Sequence, residues 1–497
     1  MALRETEIDC GKIRGIAAGN QDITVFKGIP YAEPPVGNNR WKPPIPKKKW
    51  QGIYDAVRFG NICPQILPGK DTFYYKEFFR MEAHEKQNED CLQLNIWTPA
   101  ESVNDRFPVL VFIHGGGFQT NYSFAPQFDG EGLAKRGIVV VTINYRLGIF
   151  GFLAHPELSK ESERGISGNY GLMDQICALQ WVKDNIHAFG GDAGKITISG
   201  GSAGAESVFL LTLSERVKGW LRGAVMQSGP LLEPLPTLKQ IETDGEMFLD
   251  KLEISSIQEA RTWTAEDLKN YTPDLDRGDK MFLKPCIDGY IINDNPLDSL
   301  KKGAAADISY MVGCTGNEAG SMRNRFRETP QSIAKKLENC YGSYSKEYRS
   351  SVRYSTEEEV FQFQLKHGFT EDMYSYCLAW CELQGRSGRM KPYMYRLERD
   401  LPGDDAGAFH ASEHWYIFET LNRCWRRFTG SDYELSKRMA DYWANFIKTG
   451  DPNAAHLPKW ESYEPGTFRF MALDEACRMK DMGEDKAVYS RIKYYCS

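Results

Sequence analysis

Short apolar runs rich in β-branched residues recur along this chain, and they limit the folds open to it. In residues 107–117, FPVLVFIHGGG, the apolar side chains do not alternate with polar ones, and the run ends in glycines. This pattern is typical of strands buried on both faces, as in mostly parallel sheets. Further runs of this kind lie at residues 137–148, 195–204, 223–229, 308–320 and 391–400.

Helical patterns separate these runs. Between the second and third, apolar residues recur every three or four positions and Gly190-Gly191 provides a stop: Leu172, Ile176, Leu179, Val182 and Ile186. Strands alternating with helices predict the α/β class, a mostly parallel sheet covered on both faces. Since no repeat or linker interrupts residues 1–497, we predict one domain. Residues 233–300 and 321–390 are richer in charge and helical pattern, which indicates helical insertions over one edge of the sheet.

Composition excludes several classes of protein. With 41% apolar and 26% charged residues the chain is typical of a globular protein, and its net charge of −6 argues against nucleic acid as a partner. Neither a membrane-length apolar run nor a secretory leader is apparent, which favours the cytoplasm over a secreted form. The 12 cysteines show no zinc-type CxxC pairing, so we expect mostly free thiols.

The candidate nucleophile is Ser202, in the pentapeptide Gly200-Gly201-Ser202-Ala203-Gly204. An apolar strand pattern enters this G-x-S-x-G and a helical pattern leaves it, which is the setting of a nucleophile elbow. Such a tight turn needs small neighbours and presents the serine hydroxyl beside the helix N-terminus. Taken alone, the pentapeptide has a second interpretation, a glycine-rich turn that packs a helix on a strand and has no catalytic role.

His114-Gly115-Gly116-Gly117 directly follows the first apolar run. Consecutive glycines let backbone N–H groups turn toward a ligand, as in the HGGG loops that line oxyanion holes. We therefore expect the N–H groups of Gly116, Gly117 and Ala203 to hold an oxyanion.

The candidate base and acid lie downstream of the serine, in the order expected for this type of site. Two of the 8 histidines fit, His410 and His414, and the residues alone leave both open. Glu318, in GCTGNEAG, ends an apolar run on a glycine-flanked loop, where α/β folds place working residues.

Ordered blocks along nearly the whole chain resemble the type-B carboxylesterase/lipase family, which includes bacterial para-nitrobenzyl esterases, mammalian carboxylesterases and cholinesterases. The blocks are FKGIPYAEPPVGNNRWKPP, EDCLQLNIWTP, HGGGF, NYRLGIFGFL, GNYGLMDQICALQWVKDNIHAFGGD, GGSAGAESV, QSGP, GNEAG, GAFHASE and GDPN. The resemblance implies an α/β-hydrolase fold with helical insertions over an active-site gorge. It also implies ester hydrolysis through an acyl-enzyme without metal or organic cofactor.

Carried onto this chain, the family triad falls on Ser202, Glu318 and His410, since the family places its histidine before xxE. The resemblance also implies a disulfide between Cys63 and Cys91. The family glutamate before the serine is Gly201 here, which argues against a cationic, choline-type substrate. His414-Trp415 replaces the usual leucine-proline, which suggests a reshaped acyl pocket.

Aromatic side chains near these motifs are candidate pocket walls: Phe118, Trp415 and Phe418. Core packing is the equal alternative for each. The charged stretch between Cys63 and Cys91 favours soluble esters of small to medium size over an interfacial lipase. A catalytically silent binding or adhesion module on the same fold is the other alternative. The expected assembly is a monomer or weak homo-oligomer.

Overall fold

The computed structural model describes residues 2–79, 86–270, 283–321, 329–341, 344–350, 352–367 and 369–497. The chain groups into two compact units. The first comprises residues 1–223 and 234–296, and the second comprises residues 224–233 and 297–497. The single domain expected for residues 1–497 stays a prediction.

The strands of the first unit include the first three apolar runs of the sequence. Six of them follow one another in the order β9-β7-β8-β6-β4-β3, and β1, β2 and β5 form a separate small sheet. Strand β7 pairs in parallel with β8 and β9, while β6 and β4 pair antiparallel. The strands are β1 (Glu5–Ile8), β2 (Gly11–Arg14), β3 (Ile16–Ala17), β4 (Thr24–Pro30), β5 (Ile53–Asp55), β6 (Gln93–Thr98), β7 (Phe107–Ile113), β8 (Val139–Ile143) and β9 (Gly191–Gly201).

Helices connect these strands. The helix expected from residue 172 onward is present; it ends in a 3₁₀ turn, and Gly190 at φ 74° stops it. The helices are α1 (Glu131–Ala134), α2 (Gly148–Phe152), α3 (Pro156–Glu161), α4 (Tyr170–Asn185), α5 (Ala203–Leu213), α6 (Leu238–Lys251), α7 (Ile257–Ala260) and α8 (Ala265–Asn270).

The second unit has its own strands in the order β14-β13-β12-β11-β10. Strands β11, β12 and β13 pair in parallel, and β14 is antiparallel. The strands are β10 (Gly223–Gln227), β11 (Ser309–Thr315), β12 (Tyr393–Leu397), β13 (Arg469–Leu473) and β14 (Arg478–Asp481). The helices are α9 (Pro296–Lys301), α10 (Pro330–Tyr341), α11 (Ser345–Ser350), α12 (Glu357–His367), α13 (Phe369–Arg386), α14 (Glu413–Ile417), α15 (Gly430–Thr449) and α16 (Lys486–Cys496).

All six apolar runs form strands, and most of their residues are buried, which agrees with the predicted burial on both faces. The stretches predicted as insertions contain helices, α6 to α9 in one and α10 to α13 in the other, together with described loops. Residues 271–282, 322–328, 342–343, 351 and 368 of these stretches lie outside the described residues. The placement of the insertions over a gorge stays a prediction. Among the described helices, none is both long and apolar enough to cross a membrane.

Candidate active site

Ser202 is the single residue between β9 and α5, and its backbone conformation is strained. Its φ of 57° and ψ of −128° lie where residues with a side chain rarely occur. Strained backbone of this kind persists where the surrounding structure holds it, often at functional sites. The side chain of Ser202 is only half-buried, so the turn presents the hydroxyl outside the core.

Two glycines let the strand and helix approach each other on either side of this serine. A Cβ on Gly200 would lie 2.4 Å from the backbone of Gly204. On Gly204 a Cβ would lie 2.0 Å from the carbonyl oxygen of Ile113, at the end of β7. Both contacts are far shorter than real Cβ contacts. The sequence pattern G-x-S-x-G thus follows from the strand–turn–helix geometry that is present here.

The glycine loop after β7 packs against this turn. A Cβ on Gly115 would lie 2.4 Å from the carbonyl oxygen of Gly201 and 2.9 Å from Cβ of Ser202. Gly116 and Gly117 have φ values of 110° and 63°, which glycine adopts without steric cost. Among the described residues, the amides of Gly116, Gly117 and Ala203 donate no hydrogen bond. Three backbone donors at the serine are therefore available to a ligand.

His114 anchors the glycine loop as a neutral side chain. Its ring stacks on Tyr145 with centroids 4.6 Å apart, and its Nδ1 lies 2.9 Å from the carbonyl oxygen of Gly115. The Tyr145 hydroxyl donates to the carbonyl oxygen of His114 at 2.9 Å. Burial lowers the pKa of His114 to about 4, so the ring is uncharged at neutral pH.

In the second unit, Glu318 and His410 contact each other directly. Nδ1 of His410 forms a short hydrogen bond with Oε2 of Glu318. The two loops are joined beside the pair, where the amide of Asn317 donates to the carbonyl oxygen of Ala408 at 2.8 Å. Nε2 of His410 is buried and has no hydrogen-bond partner among the described residues. This imidazole therefore has one oriented nitrogen and one available nitrogen, as a general base requires.

The other oxygen of Glu318 is also occupied. Oε1 accepts hydrogen bonds from the hydroxyl of Ser228 at 2.5 Å and from the amide of Thr315 at 2.7 Å. Ser228 follows β10, and its φ of 55° is a second strained position. Ser228 was not predicted from the sequence. Its place at the carboxyl end of a buried strand, within QSGP, was the signal that could have found it.

Glu413 is a second buried carboxyl group in this cluster, and the sequence analysis treated it only as part of the histidine motif. Its Oε1 lies 3.5 Å from the hydroxyls of both Ser228 and Tyr395. Burial and the charge of Glu318 raise the pKa of Glu413 to about 8. Glu413 is thus mainly protonated at neutral pH, which reduces its charge repulsion with the neighbouring Glu318.

His414, the alternative base, lies one residue further on and is fully buried. Burial and the charge of His410 lower the pKa of His414 to about 3. Because the ring stays neutral and the structure places His410 on Glu318, the geometry favours His410 as the base.

The remaining sequence candidates are located as follows. Ser202 and the candidate oxyanion donors lie in the first unit, whereas Glu318 and His410 lie in the second. Phe118, Trp415 and Phe418 are each at most 2% exposed, and their role as pocket walls stays a prediction. Among the described residues, no group of three or more His, Cys, Asp or Glu side chains is arranged to hold a metal ion.

Cys63 and Cys91 are both buried and carry free thiols in this structure. A hydrogen bond joins the two side chains, and together with burial it raises the pKa of Cys91 well above its usual value. The disulfide implied by the family resemblance stays a prediction.

The chain is similar over most of its length to known esterases. The model of the carboxylesterase family matches residues 3–489. Fumonisin B1 esterase of Sphingopyxis macrogoltabida is 33% identical over 91% of this chain and 83% of its own length. Para-nitrobenzyl esterase of Bacillus subtilis is 31% identical over 96% of both chains. A solved PNB esterase structure superposes with a TM-score of 0.85 at 29% identity, covering 98% of this chain and 99% of its own.

The fold and the strained serine turn define a serine hydrolase with the α/β-hydrolase fold. The chain belongs to the carboxylesterase family. Its activity is the hydrolysis of carboxylic esters, as the sequence resemblance predicted.

Proposed function

We propose that Ser202, His410 and Glu318 form the catalytic triad of this carboxylesterase. The observation that carries the assignment is the Glu318–His410 hydrogen bond, which orients one imidazole nitrogen and leaves Nε2 without a partner in the described chain. The strained, half-buried Ser202 between β9 and α5 supports its role as nucleophile.

In the proposed reaction, Oγ of Ser202 attacks the ester carbonyl carbon while Nε2 of His410 takes the hydroxyl proton. The imidazolium is stabilised by the carboxylate of Glu318 and then protonates the departing alcohol. Water, activated by His410, next attacks the acyl-enzyme and releases the carboxylic acid. All proton transfers use one histidine, so each turnover restores the starting state.

The oxyanion formed in both steps is proposed to accept hydrogen bonds from the amides of Gly116, Gly117 and Ala203. Their lack of other partners in the described chain and the packing of the glycine loop against Ser202 support this role. Preorganised donors of this kind each contribute roughly 3–4 kcal/mol to lowering the barrier.

The assignment is tested by hydrolysis of p-nitrophenyl acetate, butyrate and octanoate and by labelling with an organophosphonate. Wild type should hydrolyse the esters and take up one label, and Ser202→Ala should lose both. A matched control is Ser214→Ala, which changes a serine outside the proposed triad, at the start of a 3₁₀ turn. Well-folded wild type with neither turnover nor label would instead indicate a catalytically silent binding module.

The substrates are proposed to be soluble esters of small to medium size. The relatives' names refer to different esters, so the panel should include a p-nitrobenzyl ester. An interfacial lipase is distinguished with tributyrin: its rate would rise sharply once the ester exceeds its solubility, whereas a soluble esterase would show saturation below that limit.

We further propose a cytoplasmic, monomeric or weakly oligomeric protein that needs no cofactor. Light scattering coupled to size-exclusion chromatography tests the oligomeric state, and activity after exhaustive dialysis against a chelator tests the metal requirement.

A further inference from the structure

The first unit contains a cavity of about 770 Å³ to which no proposed catalytic residue contributes. Its volume falls within the range of small-molecule sites, roughly 300–1,000 Å³. Apolar side chains from α3 and α4 form part of its wall. The lining is rich in aromatic residues, namely Tyr31, Trp41, Tyr170, Trp181, Trp220 and Tyr290.

Two arginines of this lining share one aromatic ring. The guanidinium carbons of Arg164 and Arg216 lie 4.3 Å and 4.1 Å from the ring centroid of Tyr290. The two guanidinium carbons are therefore at most about 8.4 Å apart. Among the described residues, neither guanidinium makes an ion pair or a side-chain hydrogen bond. Both arginines are exposed, so solvent screens much of their mutual repulsion, and a bound anion would remove what remains.

Trp181, another residue of the lining, has an indole N–H group without a hydrogen-bond acceptor in the described chain. Trp181 is 7% exposed, and its indole Nε1 is buried. A buried N–H group without an acceptor destabilises the folded protein. A ligand carrying acceptor oxygens could satisfy it.

The other charged side chains of the lining are mainly acidic. Lys47 is paired with Glu33 at 3.0 Å, whereas Lys42 makes no ion pair within the described residues. Glu161 is paired with Arg261, and Asp9, Glu163 and Asp184 also line the cavity. These carboxylates favour a ligand with one negative charge over a ligand of higher charge. One carboxylate can accept from two guanidinium forks, for which its planar geometry is suited.

We propose that this cavity is a binding site for an amphipathic monocarboxylate. The carboxylate accepts hydrogen bonds from the guanidinium groups of Arg164 and Arg216 beside Tyr290, and an alkyl or aromatic body packs against the aromatic wall. This site is separate from the proposed triad and does not depend on that assignment.

The test is calorimetric titration with dodecanoate below its critical micelle concentration. The double variant Arg164→Gln/Arg216→Gln should bind dodecanoate at least 10-fold more weakly than wild type. The matched control is Arg58→Gln/Arg353→Gln, which removes two exposed arginines outside the cavity lining and should bind as wild type does. Dodecanoate bound elsewhere on the protein would bind the Arg164/Arg216 variant as tightly as wild type. A difference in dodecanoate affinity between the Arg164/Arg216 variant and the Arg58/Arg353 control therefore reports on this cavity.

Two further measurements separate the effect of the ligand's charge from the effect of the cavity's shape. Dodecyltrimethylammonium, with the same alkyl chain, should show no loss of affinity in the Arg164/Arg216 variant. Ile176→Trp fills the cavity from a half-buried position and should weaken dodecanoate binding without changing charge. Retained hydrolysis of p-nitrophenyl acetate confirms folding of each variant. Equal dodecanoate affinity and stoichiometry in wild type and the Arg164/Arg216 variant would overturn the proposal, as would no dodecanoate binding at all.

Discussion

Glu318 holds the Nδ1 nitrogen of His410 through one carboxylate oxygen while its second oxygen is fully occupied by other donors. The carboxylate is completely buried, and burial of a charge is costly unless hydrogen bonds replace the lost water. The hydrogen bonds from His410, Ser228 and Thr315 provide that replacement. Glu318, the proposed triad acid, is therefore fixed in position before any substrate arrives.

Replacing Glu318 with glutamine tests whether the negative charge of its side chain is needed for catalysis. Glu318→Gln should lower kcat on the order of 10⁴-fold, because a neutral amide stabilises the imidazolium poorly and favours the wrong tautomer. The measurement is steady-state hydrolysis of p-nitrophenyl butyrate at pH 7.5. Glu357→Gln, an exposed change on α12, is the control and should leave kcat intact. A fall of less than 10-fold in Glu318→Gln would point to another acid.

Ser228 is expected to act as a positioning residue. Ser228→Ala removes one hydrogen bond to the charged Glu318, a contribution of roughly 1.5–3 kcal/mol, and should lower kcat roughly 10- to 100-fold. Because Ser228 acts through Glu318, we expect KM to change little. A rise in KM with unchanged kcat would contradict this role.

The raised pKa of Glu413 makes stability depend on pH. Between the usual glutamate pKa near 4.3 and the folded pKa of about 8, the folded state binds more protons than the unfolded state. This group therefore makes the free energy of unfolding fall as pH rises from about 5 to 8. Glu413→Gln removes the titration, so its Tm should fall less steeply over that window. Parallel Tm-against-pH curves for the two proteins would refute the assignment.

The serine turn should tolerate no side chain at Gly204. Gly204→Ala places Cβ on the carbonyl oxygen of Ile113 and displaces the turn, so kcat/KM should fall about 100-fold or more. Gly430→Ala, at a helix start with open space around it, is the matched control and should keep full activity. Both are compared by hydrolysis rates on soluble protein of equal concentration.

A buried ion pair supports the first unit. Arg146 Nη2 and Asp174 Oδ1 are 2.6 Å apart, with side chains 2% and 0% exposed. Asp174→Asn leaves a buried charge without its partner and should lower the free energy of unfolding by about 3–5 kcal/mol. Breaking the exposed pair of Lys218 and Glu215 with Glu215→Gln should cost less than about 1 kcal/mol. Urea denaturation of both variants measures the difference.

The parts of the site that depend on local backbone geometry could be predicted from the sequence. The glycines around Ser202 and in the loop after β7 are required by close approaches between backbone segments, so they appear as short motifs. The strand and helix pattern was equally predictable, because burial on both faces of a parallel sheet demands continuous apolar runs.

The tertiary structure alone decided the surroundings of the acid. Ser228 and Glu318 are 90 residues apart, and His410 and Glu318 are 92 apart, so no local pattern links them. The residues alone left His410 and His414 open, the family resemblance implied His410, and the contact of His410 with Glu318 agrees with that choice. The raised pKa of Glu413 and the paired arginines on Tyr290 likewise arise from neighbours distant in sequence. Side-chain electrostatics depends on distance and burial in space, and those are set only when the chain has folded.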